Sequence, residues 1–154
     1  MALSNMYESE KKWNHRFMEL AEHVALWSKD PSTKVGAVIS SGKEVLSLGY
    51  NGFPARIPDH PSDLNSRERK YPRVVHAEVN AILRLDRRFR PPQPLQITVT
   101  HMPCSSCAVI IIGAGITEVL TKIPDEDLID RWPGMKTTAR IFEEAGIKVS
   151  LLDT

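Results

Sequence analysis

Apolar positions along this chain recur alternately with helical and strand periods, and they divide it into short blocks. Phe17, Leu20, Ala21 and Val24 follow helical spacing and predict an amphipathic helix over residues 12–28, ended by Asp30-Pro31-Ser32. Residues 35–39 form a short apolar run, Ser41-Gly42 has turn chemistry, and Val45, Leu46, Leu48 and Tyr50 make a second run, so a β-hairpin is expected. Residues 51–73 carry Pro54, Pro58, Pro61 and Pro72 and no period. Structureless loops of that length inside a compact domain are usually functional, and this one runs into His76, so it is expected to wall a ligand site. Ala77, Ala81, Ile82 and Leu85 give the next helix, broken by Pro91, Pro92 and Pro94. Residues 95–100 alternate as a strand. A helix then starts near Cys104 and runs through Val109, Ile110, Ile111 and Ile112 to a left-handed cap at Gly115. Residues 118–121 read as a strand, 137–145 as a helix capped by Gly146, and 147–152 as the last strand. The order α-β-β-α-β-α-β-α-β predicts an α/β fold: a three-layer α-β-α sandwich with helices on both faces of the sheet.

The 154 residues fit one domain, 1–154. A formal net charge of +1 supplies no global field for nucleic acid or an anionic membrane. The basic groups Arg67-Glu68-Arg69-Lys70 and residues 84–90 read as solvated faces or small anion sites and not as a polynucleotide groove. No apolar run approaches the length of a membrane span, and the polar, mixed-charge start is unlike a signal peptide. The expected location is therefore the reducing cytoplasm, where the two cysteines stay free to bind metal.

Two clusters carry the candidate chemistry: His76-Ala77-Glu78 and Pro103-Cys104-Ser105-Ser106-Cys107. They supply an imidazole, two thiols and a spare carboxylate. His76, Cys104 and Cys107 would make three zinc ligands and leave the fourth position to water. Each cluster is expected at the start of a helix, where free N–H groups and the positive dipole end favour thiolate. Two thiolates, a neutral imidazole and Zn²⁺ sum to zero charge, a weaker Lewis acid than a three-histidine site. A structural zinc would need a fourth protein ligand, and no second C-x-x-C or C-x-x-H is present. His101 is the nearby candidate, but a place in the pocket wall suits it better. His15, His23 and His60 read as ordinary surface or loop residues.

H-x-E followed by P-C-x-x-C resembles the signature of the cytidine deaminase superfamily. Further segments resemble its deoxycytidylate (dCMP) deaminases: residues 28–37 (SKDPSTKVGA), Gly49-Tyr50-Asn51-Gly52-Phe53-Pro54, Lys70-Tyr71-Pro72, residues 76–82 (HAEVNAI) and Gly113-Ala114-Gly115-Ile116. The resemblance covers about residues 14–152. It implies hydrolysis of dCMP to dUMP and ammonia, which feeds thymidylate synthesis, on a five-stranded mixed sheet. His76, Cys104 and Cys107 would bind one zinc per subunit, since the 51–73 loop lacks the extra cysteine and histidine ligands of a second site. Glu78 would take a proton from the attacking water, pass it to the ring nitrogen and then help protonate departing ammonia. Asn51 would bond the sugar 3′-hydroxyl, and the Ala77 N–H the base carbonyl. The Ser28-Lys29 loop, with Lys34, would meet the 5′-phosphate. The family also implies homohexamers and dCTP and dTTP effectors with Mg²⁺ on their phosphates, for which Gly49, Gly52, Arg84 and Arg87 are candidates. Neither nucleic acid nor membrane is an expected partner.

The nearest rival is another small-molecule deaminase acting on cytosine, guanine or a modified dCMP. A tRNA adenosine deaminase would need a more basic surface. The pyrimidine deaminase of riboflavin synthesis carries a glycine-rich spacer with another cysteine and a reductase domain. A non-enzymatic scaffold would close its zinc with four protein ligands. Ile110-Ile111-Ile112 is apolar on more than one helix face, so that helix is expected in the core or at a subunit contact. Trp132-Pro133-Gly134-Met135 would close the pocket or pack at an interface.

Overall fold

A computed structural model describes residues 3–88, 90–125 and 134–153. In chain order the elements are α1 (Leu3–Ala25), β1 (Gly36–Ser41), β2 (Glu44–Tyr50), α2 (Pro61–Leu64), α3 (Arg67–Lys70), α4 (Ala77–Leu83), β3 (Leu95–Val99), α5 (Ser105–Gly113), β4 (Glu118–Lys122), α6 (Gly134–Glu144) and β5 (Lys148–Leu152). The strands form one five-stranded sheet in the order β2-β1-β3-β4-β5. β1 runs antiparallel to both β2 and β3, whereas β3–β4 and β4–β5 are parallel. Parallel neighbours cannot be joined by a tight turn, so α5 and α6 lie in the two crossovers.

Alternation along β1 splits the core. Ala37 and Ile39 face one side with Ile97, Val99 and Val119, where Ala77 and Ala81 of α4, Ala108 and Ile111 of α5 and Phe142 of α6 cover them. Val38 faces the other side, under Phe17 and Ala21 of α1, and Met18 packs there with Leu120 and Leu152. The result is the three-layer sandwich that the element order predicts. All of β1 is buried, which explains why its sequence reads as a run and not as alternation.

The differences from expectation have local causes. α1 begins at Leu3, not at residue 12, because its polar first turns carry no core-facing period and extend a helix already nucleated by packing further along. Lys148 ties this extension to the sheet through an ion pair with Glu10 at 3.0 Å. α4 stops at Leu83, short of Leu85. The 51–73 segment holds two single-turn helices: α2, with proline in its first turn, and α3, whose Arg69 N–H donates to Ser66 Oγ. Gly115 and Gly146 adopt φ of 84° and 70°, the left-handed caps that the sequence predicts. Gly134 and Met135 open α6, while Trp132 and Pro133 lie outside the described residues. Among the described residues no helix is long and apolar enough to cross a membrane.

Candidate metal centre and active site

His76 is the residue before α4, and Cys104 the residue before α5, each in an extended conformation. The helices are started by Asn80 N–H on the His76 carbonyl (3.0 Å) and Ala108 N–H on the Cys104 carbonyl (2.9 Å). Upstream, Gly52 and Val75 exchange both backbone hydrogen bonds (3.1 and 2.8 Å), which fixes the approach to His76. The two helix starts converge. His76 Nδ1 lies 3.6 Å from Cys104 Sγ and 3.3 Å from Cys107 Sγ, and one donor atom of each residue lies within 4.8 Å of the others. Zinc bond lengths of about 2.0–2.1 Å to nitrogen and about 2.3 Å to sulfur place tetrahedral N and S donors about 3.6 Å apart. The three donors therefore fit one zinc ion and leave its fourth position open.

Without metal, the cluster organises its own protons. Cys104 is pulled down to about 4, first by the Cys107 thiol that hydrogen-bonds to it and then by His76. Cys107 moves the opposite way, because it keeps its proton and donates it to the Cys104 sulfur and because it is buried. His76 is raised by its bond to the Cys104 sulfur. The Cys107 N–H also donates to Cys104 Sγ at 3.4 Å, so the helix start supports the thiolate.

Glu78 sits in the first turn of α4, 4% exposed, with Oε2 3.7 Å from Cys107 Sγ. Burial raises its carboxyl above the ordinary carboxylate range. It adjoins the cluster without belonging to it. His101 is likewise outside the cluster and in the wall. Burial, and secondarily the charge of Lys122, lower its pKa, so it is neutral at neutral pH.

A cavity of about 510 Å³ opens on this centre, lined by His76, Ala77, Glu78, His101, Met102 and Cys104 at the cluster, and by Asp30, Thr33, Asn51, Arg67, Lys70 and Tyr71 elsewhere. Asn51 reaches it, but its amide is already engaged: Oδ1 accepts from Val35 N–H at 2.9 Å, and Nδ2 donates to the Thr33 carbonyl at 2.8 Å. Ser28 is buried, and its Oγ donates to the Asn51 carbonyl at 2.8 Å. Lys29 is exposed and pairs with Asp59 at 2.8 Å, and Lys34 is exposed. None of Ser28, Lys29 and Lys34 lines this cavity. The cations that do are Arg67 and Lys70, from a run that reads in sequence as a solvated face or a small anion site. Lys70 is not solvated: it is buried with Nζ 3.1 Å from Asp30 Oδ1, which leaves the anion-site alternative for it. The solvated-face alternative holds for Arg69, which turns outward toward Asp63, as does Arg73 beyond the run. Positions 67 and 70, and likewise 69 and 73, share faces of a helical turn, and that split is the signal the sequence offered.

Of the four effector candidates, Arg84 stands beside Gly49, its Nη1 donating to the Leu48 carbonyl at 3.3 Å. Gly49 is buried beneath α4, where a Cβ would overlap the Ala77 carbonyl and the Ala81 nitrogen. Gly52 pairs with Val75. Arg84 lies over the Tyr50 ring at 5.4 Å, and Arg87 borders a separate cavity of about 340 Å³.

Residues 11–123, which include both clusters, match the cytidine and deoxycytidylate deaminase zinc-binding region. An uncharacterized deaminase from the region 3′ to luxG in Aliivibrio fischeri is 42% identical over 142 residues, covering 92% of this chain and 94% of that one. Deoxycytidylate deaminase of Pongo abelii is 35% identical over 146 residues, covering 88% and 77%. Among solved structures, apo dCMP deaminase from the cyanophage S-TIM5 shares the fold with a TM-score of 0.71 at 22% identity, covering 92% of this chain and 98% of that one. With the motif, the donor cluster and these relatives agreeing, the chain belongs to the zinc-binding cytidine and deoxycytidylate deaminase family.

Proposed function

We propose that this protein, as one domain over residues 1–154 with one zinc per subunit, hydrolyses dCMP to dUMP and ammonia in the cytoplasm. The observation that carries the reading is the three-donor cluster with a buried carboxylate beside it, at one end of a cavity that has cations in its wall. Zinc held by His76, Cys104 and Cys107 supplies Lewis acidity, which makes water nucleophilic near neutral pH. The rest falls to the chain. Glu78 accepts a proton from the water as its oxygen bonds to the amino-bearing ring carbon. The same carboxyl delivers that proton to the ring nitrogen, then takes the remaining proton from the newly bonded oxygen and passes it to the amine, so that ammonia leaves as the carbonyl forms. A raised pKa suits a carboxyl that must give a proton back. The Ala77 N–H, one of the first-turn groups of α4 that lack an intrahelical acceptor, is available to the base carbonyl. Asn51 borders the sugar end. Likeness to the family further supports a hexamer and control by dCTP and dTTP with Mg²⁺.

Ammonia release by zinc-loaded protein tests the reading, with dCMP beside deoxycytidine, dCTP, CMP and guanine. Turnover of dCMP is expected. In Glu78→Gln it should fall at least about a thousandfold, toward the upper range for a positioned acid–base group, while bound zinc stays stoichiometric. If dCMP is inert even with dCTP added as activator, the assignment fails, and activity on another compound names its replacement.

A further inference from the structure

The pair formed by Lys70 and Asp30 is the most deeply buried ion pair among the described residues, each side chain being 8% exposed. Burying opposite charges is seldom a net gain in stability, because desolvation offsets most of the attraction. Asp30 is nevertheless satisfied from several directions. Its Oδ1 accepts from the backbone N–H of Ser32 (2.8 Å) and Thr33 (3.2 Å) as well as from Lys70 Nζ (3.1 Å). Its Oδ2 lies 3.5 Å from Asn51 Nδ2. The 28–35 loop is thus held together without help from the lysine.

The lysine, in contrast, has one carboxylate for three ammonium donors and stands in the cavity wall. Arg67, one helical turn earlier on the same face of α3, lines the same wall. Charges facing the cavity are Arg67 and Lys70 against Asp30 at this wall, with Glu78 at the metal end. One cation is therefore in excess in this wall. That is the arrangement an anionic substituent on the substrate would complete: Asp30 keeps the ammonium in place, and a phosphate takes its two remaining donors alongside the Arg67 fork.

We propose that Lys70, positioned by Asp30 and assisted by Arg67, is the specificity-determining residue that selects a nucleoside 5′-monophosphate over the nucleoside. This inference rests on the substrate class proposed above. It moves phosphate recognition from the Ser28-Lys29 loop to α3.

The test compares KM and kcat for dCMP with kcat/KM for deoxycytidine, and measures competitive inhibition by inorganic phosphate, in zinc-loaded protein. Lys70→Met alone leaves Asp30 unpaired, so the informative variant is Asp30→Asn/Lys70→Met, in which both charges go and the asparagine oxygen still accepts from the loop. A lost charge-assisted hydrogen bond corresponds to a factor of about 10 to 100, so the preference for dCMP over deoxycytidine should fall by that amount, mostly through KM. Inhibition by phosphate should weaken in parallel. Arg67→Gln should produce a smaller change in the same direction, and Arg69→Gln, on the outer face, should keep the wild-type preference. An equal fall on dCMP and deoxycytidine, with phosphate inhibition retained, would reduce the pair to loop support and overturn the inference. So would a wild-type enzyme that ignores the phosphate. A wild-type enzyme inert on every cytosine compound would instead remove the function reading, a distinct result.

Discussion

Cys104 and Cys107 share one helical turn but sit at opposite ends of the protonation scale. The first is stabilised as a thiolate by a thiol, an imidazole and a backbone N–H, and the second is the buried thiol that donates. The zinc-free chain therefore carries one reactive sulfur. For an acid whose pKa is lowered, the charged form persists above that value and is lost as pH falls through it. In chelator-treated protein, iodoacetamide should alkylate Cys104 at a rate nearly constant between about pH 8 and pH 6, falling only toward its pKa of about 4. Cys107 should stay unmodified, and added zinc should protect both. Peptide mapping over a pH series checks this. A tenfold loss per pH unit starting near pH 8, as in an ordinary thiol, would mean that the pair does not share its proton in this way. At this scale the donor cluster of His76, Cys104 and Cys107 was legible, because metal chemistry constrains both residue type and spacing. The engagement of Asn51 was not: its amide holds the backbone of Thr33 and Val35, and only the folded loop brings those groups near.

The element that positions the carboxylate is α4, and its seat on β2 is unusually close. Ser47 Oγ donates to the Ala81 carbonyl at 2.5 Å, and Asn80 Nδ2 to the Tyr50 carbonyl at 2.8 Å. Between them Gly49 lets the helix backbone touch the strand. Gly49→Ala must lift α4, moving Ala77 and Glu78 together. A loss of about 1–3 kcal/mol in urea unfolding is expected, the usual range for overpacking, with kcat/KM reduced even where the protein is folded. Gly52→Ala should stay within about 0.5 kcal/mol, since a Cβ there meets nothing within 4 Å. Equal stability of the two variants would show that Gly49 does not set the helix height. Periodicity found each long element, because a helix or strand that buries one face must repeat. It did not find α2 or α3, whose four residues apiece are too few to show a period, nor the first turns of α1, which bury nothing continuous. The spacing 67/70 against 69/73 carries the two faces of the 67–73 basic run, but it can be read only once a helical turn is assigned there.

At the scale of the whole molecule, sheet order follows from topology more than from any single strand. The switch from antiparallel to parallel pairing at β3 requires a crossover, and α5 fills it while delivering Cys104 and Cys107 to His76. α5 has a further property. Its inner face, Cys107, Ala108 and Ile111, is buried, but Val109 and Ile110 are 54% and 41% exposed, and no residue of the helix is charged. Core burial accounts for only one side of the Ile110–Ile112 run. Branched aliphatics on an uncharged outer face that starts at the donor cluster are the kind of patch that a second copy of the chain would cover. The protein should therefore sediment as an oligomer at micromolar concentration, and Val109→Glu/Ile110→Lys should shift it toward monomer. The shift should lower thermal stability in a concentration-dependent way, since subunit association stabilises by mass action. Because Cys104 immediately precedes α5 and Cys107 lies in its first turn, the same variant should hold zinc less tightly, and competition with a chelator reads that directly. A wild-type protein that sediments as a monomer and keeps full activity would mean that this face is simply solvated.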